Sequence, residues 1–382
     1  MRVLLISHTC QSRTEGQPKA HALASLGDVT LRVLVPDRWR RYGAWRKAQP
    51  PQSPKFEFQI SKIRLPWFGP AQTYLHHYPS LPKILREFKP DIIDLWEEPW
   101  AAVSAHACRL RERMLPNAKI ISETEQNINK KLPFPFEHFR NYTLRRADYA
   151  VGRNRQAIEV LRAKGYAGPA AVVPNAADAE LFHPMDRGQC RQSLEMSGFV
   201  IGYAGRLVEE KGLLDLLEAA ALCPQDVQVA FVGSGPFKGI LQERSNCPDL
   251  AGRVRFWDSK PLEELPAWMN AIDVLAIPSR TTPSWKEQFG RVIIEAHACG
   301  TPVIGSDSGA IPDVVGRGGL IAGERNPAAL ADAIQQLYRT PALCRELGEI
   351  GRQQVLNLYT WQRVAERMRE IYCKVMEGMG VV

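Results

Sequence analysis

Along the chain, short apolar runs alternate with segments whose apolar residues recur every three or four positions. In the first half the runs fall at 2–7, 30–35, 91–95, 119–122, 147–152 and 170–174, with helical spacing at 19–26, 81–88, 101–113, 136–146 and 153–164. Short runs bounded by turn formers predict buried strands, and the longer periodic stretches predict amphipathic helices. Their alternation predicts parallel βαβ units and one doubly wound sheet. Around Pro174-Asn-Ala-Ala-Asp178 and Phe182-His-Pro184 the pattern lapses into turn residues, so a hinge is expected over 176–198. A second series then begins, with strands expected at 199–204, 227–232, 254–257, 274–278 and 302–306. Helices are expected at 213–222, 327–339, 341–358 and 361–376, the last belonging to either domain. The fold class is therefore α/β, with two Rossmann-like domains at 1–180 and 181–360 facing each other across a cleft suited to two substrates.

Length and charge narrow the picture only partly. A chain of 382 residues is long for one core, which supports two domains. The 49 basic residues against 41 acidic ones give +8, which suits an anionic ligand or an anionic membrane surface without choosing between them. Residues 36–47 interleave five basic residues with Trp39, Tyr42 and Trp45, a composition that fits a membrane surface, a sugar acceptor or an ordinary packed loop. No recognised nucleic-acid module surrounds it, and no nucleic-acid partner is expected. The eight cysteines lack CxxC or Cys/His spacing, so neither zinc nor a disulfide framework is indicated, and a reducing cytoplasm fits best. Residues 1–7 are too short for a signal peptide, and no window approaches the roughly 20 apolar residues of a membrane span, so membrane contact would be peripheral.

Candidate chemistry concentrates in the second half. Glu287 precedes the expected helix after the strand at 274–278, and Glu295 lies inside it. In an open α/β sheet the loops beyond the carboxyl ends of strands form the ligand crevice, so both carboxylates are placed to meet a polyol. A helix-dipole partner plus a solvated glutamate is the plainer reading of the same pair. Gly202-Tyr-Ala-Gly-Arg-Leu-Val-Glu-Glu-Lys-Gly212 follows a strand and leads into a helix, a position that suits an anion, with Arg206 and Lys211 to neutralise phosphate. It lacks the spacings of the known dinucleotide and Walker loops. Val232-Gly-Ser-Gly-Pro236 and Gly305-Ser-Asp-Ser-Gly-Ala310 are further glycine turns after strands, bringing Gly205, Gly233, Gly235 and Asp307 toward one crevice. Such loops suit a nucleoside diphosphate carrying a polar group, and cations beside the diphosphate would stabilise the charge that grows as it departs. In the first half, His8, the acidic turns Glu97-Glu98 and Glu123-Thr-Glu125, and Gly16 are candidates for holding an acceptor or acting as base. A carboxylate shielded by Trp96 or Trp100 would have a raised pKa, whereas solvated or capping roles are the plainer alternative. His297 is expected to be a packing residue.

Together these motifs resemble the family 4 retaining glycosyltransferases with the GT-B fold. The resemblance spans nearly the whole chain and is carried most specifically by Glu287-Gln-Phe-Gly290, Glu295-Ala296, Gly300-Thr-Pro-Val303 and Ser306-Asp-Ser-Gly309. Gly205-Arg206, Lys211-Gly212, Val232-Gly-Ser-Gly235 and Val173-Pro-Asn175 add to it. It implies that Arg206 and Lys211 contact the donor diphosphate, Glu295 the ribose and Glu287 the sugar, with Phe289, Gly290 and Arg291 completing the donor loop. It also implies retained anomeric configuration, no strict metal requirement, no cofactor, and a last helix that crosses back to join the first domain. Departures are visible: the loop after the first strand keeps Gly16 but lacks paired glycines, Glu123 and Glu125 stand where many relatives carry a histidine, and Ala310 replaces a frequent glutamate.

The leading expectation is transfer of a hexosyl group from a UDP- or GDP-sugar to a hydroxyl of a glycan, glycolipid or small molecule, with the protein cytoplasmic or peripheral on an inner membrane face. A nucleotide-sugar epimerase or a phosphorylase could use the same architecture. A non-enzymatic basic binding protein is the alternative from another class.

Overall fold

The computed structural model describes residues 1–41, 44–65 and 72–378. The chain divides into two compact units, one comprising Met1–Pro174 with Trp361–Val382 and the other Asn175–Thr360.

The first unit is built on β1 (Arg2–Ile6), β2 (Thr30–Pro36), β3 (Arg38–Arg41), β4 (Ala44–Lys47), β5 (Glu57–Ser61), β6 (Ile92–Leu95), β7 (Lys119–Thr124), β8 (Tyr149–Gly152) and β9 (Ala170–Val172). Seven of these form a parallel sheet in the order β5-β2-β1-β6-β7-β8-β9. Val3, Leu4, Leu5, Ile6, Ile92, Ile93, Ile120 and Ile121 are fully buried, as expected where helices cover both faces of a parallel sheet. Strand order reverses between β1 and β6, so the crevice outside their carboxyl ends is this unit's natural ligand position. The helix Trp361–Met376 lies in this unit, where buried Tyr372 donates to Asp94 of β6 at 2.6 Å.

The second unit repeats the plan with β10 (Phe199–Ala204), β11 (Val227–Val232), β12 (Val254–Trp257), β13 (Val274–Ile277), β14 (Val303–Ser306) and β15 (Gly319–Ala322). They form a parallel sheet in the order β12-β11-β10-β13-β14-β15, whose reversal lies between β10 and β13.

Three features depart from the sequence reading. Residues 176–198 are not a free hinge. Ala177 donates its amide to Tyr359 O at 2.8 Å, Phe182 and Cys190 enter the second core, and the helix Arg187–Ser193 is capped by Asp186 and tied to Asp273 through Arg191. The polar residues that suggested a linker are caps and ion-pair partners. β5 and β15 were not anticipated, because one is a polar edge strand and the other starts in a glycine turn. The basic-aromatic segment folds as the antiparallel hairpin β3–β4, in which Trp39 is buried and Trp45 exposed, while Tyr42 lies outside the described residues.

Candidate functional site

In the second unit, the loops leaving β10, β11, β13 and β14 are pressed together backbone to backbone, and glycine is what permits it. A Cβ added at Gly233, where φ is +148°, would stand 1.9 Å from Gly205 O, and one at Gly235 would stand 2.2 Å from Leu207 O. Leu207 N donates to Ser234 O at 2.9 Å, which fixes the two loops at that spacing. Gly212, at φ +66°, allows the β10 loop to meet Pro278 O after β13, where a Cβ would be 1.9 Å away. Arg280 grips Asp215 through two bonds of 2.7 and 2.5 Å and locks the same junction.

This frame brings Lys211 and Glu287 together across the switch point. Lys211 Nζ lies 2.5 Å from Glu287 Oε2 and 4.6 Å from the Trp285 ring centroid. Ser279 Oγ donates to the same carboxylate at 3.3 Å. From the other side, Ala310 N donates to Glu287 O at 3.0 Å, and a Cβ on Gly309 would fall 2.1 Å from that oxygen. Glu287 is thus held by both its side chain and its main chain. Arg206, by contrast, is half exposed and only 3.6 Å from Glu210, leaving its guanidinium toward solvent.

The other donor candidates divide by what they can offer. Gly290, at φ +77°, opens the helix Arg291–Ala298, and Glu295 sits half-buried in its second turn, with its carboxyl raised by burial against the opposing charge of Arg291. Phe289 has its ring in the core, 5.8 Å from Tyr359, so only its main chain faces the loop. Asp307 accepts Glu324 N at 2.8 Å. His297 is a buried packing residue bonded to Gly318 O, with burial driving its pKa down to about 4.

In the first unit the candidates have different fates. His8, just after β1, receives a double clamp from Glu97, just after β6: its amide donates to Oε1 at 2.6 Å and its Nδ1 lies 2.7 Å from Oε2. Burial would raise Glu97, but His8 outweighs it and keeps the carboxyl low. Glu98 accepts Thr124 Oγ1 at 2.5 Å and Glu125 N at 3.0 Å, and burial pushes it up to about 8. Glu123 is not available to an acceptor: it is 1% exposed between Lys19, at 2.5 Å, and Arg153. Those cations overcome burial and hold its pKa at about 2. Glu125 is 41% exposed and 3.6 Å from Arg153. Gly16 lets the helix Gln17–Ser25 approach the turn after β1, since a Cβ there would be 2.5 Å from Cys10 N. Lys19, Asp94 and Tyr372 occupy ordinary helix or strand positions and Arg153 the bend just after β8, so none stands out in the sequence; only folding reveals that they share one buried network. Among the described residues no group of three metal-ligating side chains occurs, and no helix is long and apolar enough to cross a membrane.

The two Rossmann-like units give the chain the GT-B fold, and the Lys211–Glu287 pair stands at the switch point of the second. Residues 198–340 match the family model for Glycosyl transferases group 1. It is 31% identical to the alpha-maltose-1-phosphate synthase of Mycolicibacterium smegmatis over 53% of this chain and 56% of that protein. It is also 31% identical to that organism's GDP-mannose-dependent alpha-(1-6)-phosphatidylinositol monomannoside mannosyltransferase, over 53% and 57%. The chain thus spans little more than half the length of these curated relatives. HepE of Anabaena, solved in complex with UDP, shares the fold over 98% of this chain and 100% of its own, with a TM-score of 0.75 at 18% identity.

Proposed function

We propose that the protein transfers a hexosyl group from a UDP- or GDP-sugar to a hydroxyl of a glycan, a lipid-linked glycan or a small molecule. The observation that carries this reading is the Lys211–Glu287 pair, fixed by close glycine contacts at the switch point of the second sheet. Lys211 and the more exposed Arg206 stabilise the departing diphosphate, an interaction that strengthens as charge develops. Glu287 accepts hydrogen bonds from the sugar and Glu295 from the ribose. The bond from the anomeric carbon to the acceptor oxygen forms as the bond to the diphosphate breaks; the electron pair leaves with the diphosphate, which takes the hydroxyl proton. This route retains configuration and uses side-chain cations where another enzyme would use a metal, with no cofactor. The GDP-mannose named for the mannosyltransferase relative and the UDP held by HepE support this class of donor. The basic hairpin β3–β4, with Arg38 over Trp45, supports attachment to an anionic membrane face.

Thermal stabilisation by UDP- and GDP-sugars, followed by product analysis with an acceptor panel, tests the reading. Stabilisation by one donor and a retained anomeric centre are expected. An isomerised nucleotide sugar formed without acceptor would support the epimerase instead, and a strict need for inorganic phosphate the phosphorylase.

A further inference from the structure

The loop carboxylates of the first unit look interchangeable in the sequence, but their partners in the fold separate them. Glu123 is saturated by Lys19 and Arg153, Glu98 by Thr124 and the Glu125 amide, and Glu125 lies beside Arg153. Glu97 is committed to His8 with both oxygens. What remains turned outward is the far side of the His8 ring: its side chain is 33% exposed, and Nε2 has no hydrogen-bond partner among the described residues. The ring is held against rotation. Its face stacks on Trp39 at 4.4 Å and 21°, and Trp39 is braced edge-on by His76 at 4.9 Å. His8 and Glu97 also follow β1 and β6, the two strands between which the order of the first sheet reverses.

Resting on the glycosyl-transfer reading above, we propose that His8 and Glu97 form the seat of the attacking hydroxyl: Glu97 fixes the imidazole through Nδ1, and Nε2 accepts a hydrogen bond from a polyol hydroxyl. Nδ1 keeps its proton and donates it in a hydrogen bond to Glu97, and this neutral tautomer leaves the Nε2 lone pair pointing outward. The hydrogen bond to Nε2 holds the hydroxyl in place and directs its oxygen lone pair before reaction, and it is given up as the hydroxyl proton passes to the departing diphosphate. Burial pulls the His8 pKa down, but the charge and hydrogen bond of Glu97 prevail, with Glu125 and Glu98 adding to them, and the net shift is upward. His76 is the further titratable group that acts on Glu97. The seat therefore fills as pH rises through the His8 pKa.

The test uses the full chain, UDP-glucose and GDP-mannose as donors, and methyl α-glucoside and methyl α-mannoside as hydroxyl probes; transfer to these or to water, which takes the same seat, is the readout. His8→Ala should lower kcat/KM for the hydroxyl by roughly 10–100-fold while thermal stabilisation by the donor is unchanged. His8→Gln, which keeps an acceptor atom near the ε position, should recover most of the rate and lose the acid limb of the pH profile. Glu97→Gln should move that limb to lower pH, because it removes the charge that raises His8. Wild-type turnover by His8→Ala, or an unmoved limb in Glu97→Gln, would overturn the assignment and leave the donor reading intact. If the wild type is neither stabilised by nor turns over either donor, the transfer reading fails and this seat fails with it.

Discussion

Replacing Glu123 by Gln tests whether this glutamate is an internal strut rather than a catalytic group. The substitution keeps the shape and removes one charge, leaving Lys19 and Arg153, 1% and 2% exposed, without their carboxylate. Glu123 is held at about 2 against an ordinary 4.5. At 1.36 kcal/mol for each tenfold change in proton affinity, that gap corresponds to roughly 3 kcal/mol, within the roughly 3–5 kcal/mol typical of breaking a buried ion pair. Asp94 beside it is pushed well above the carboxylate range by burial and by the charge of Glu123, and the cost of holding it there subtracts from the gain. A net loss of at most about 3 kcal/mol lowers the melting temperature of a unit this size by up to roughly 6–12 °C. Because the folded pKa is depressed, the stabilisation is complete above the ordinary carboxylate range and is lost as pH falls toward 2. Urea unfolding followed by tryptophan fluorescence is a suitable assay, since Lys19 Nζ lies 4.3 Å from the Trp96 ring centroid. The wild-type and Glu123→Gln curves should differ at pH 7 and converge only as pH falls toward about 2. A variant within about 0.5 kcal/mol of wild type at pH 7, with abolished transfer, would refute the strut and restore Glu123 as a site residue.

Lys211→Met should reduce transfer by roughly 10²–10³-fold without changing the melting temperature by more than a few degrees; near-normal kcat with the cognate donor would remove the diphosphate role. Gly309→Ala places a methyl 2.1 Å from Glu287 O at φ +57°, so it should displace Glu287 and depress kcat/KM in a folded protein, as circular dichroism and kinetics would show together. His297 is held neutral, with a pKa lowered to about 4, so the unfolded chain binds the extra proton between pH 4 and 6.5 and stability rises with pH across that window. His297→Gln should flatten that slope; an unchanged slope would assign the dependence elsewhere.

The strand–helix alternation was legible because fully buried parallel strands read as unbroken apolar runs: β1, β10 and β11 begin where the pattern places them. The glycine loops of the second unit were legible for a related reason, since local spacing after a strand already specifies a turn. The Lys211–Glu287 pair was only half legible. Both residues stood out in their own loops, but their 2.5 Å contact joins positions 76 residues apart and follows from the order of β10 and β13. Edge strand β5 exposes most of its side chains and left no apolar signature. The polar stretch before β10 misled for the opposite reason: Asp186 and Arg191 look solvated in a sequence, yet each is spent on a cap or an ion pair.

The first unit shows how partner choice, rather than residue type, assigns roles. Glu97 and Glu98 follow β6, Glu125 follows β7 and Glu123 lies within β7, and a carboxylate by itself serves equally as base, ligand or strut. Glu123 meets two buried cations and becomes permanently charged and structural. Glu98 meets only neutral donors, a hydroxyl and an amide, so burial dominates and its pKa climbs to about 8. Glu97 meets an imidazole and transfers its influence to a group that faces outward. The charge of this crevice is thus set by two titrations, His8 above its ordinary value and Glu98 near 8, with Glu123 held fixed beneath them. Raising pH through this range discharges His8 and ionises Glu98, so under the proposed role a neutral polyol hydroxyl is best received once His8 is neutral, and an anionic acceptor is increasingly disfavoured once Glu98 is charged. Comparing the alkaline limb for a neutral and a phosphorylated acceptor, with Glu98→Gln as control, should show a steeper fall for the anionic one that the substitution removes. Equal limbs would place the acceptor's charge away from Glu98.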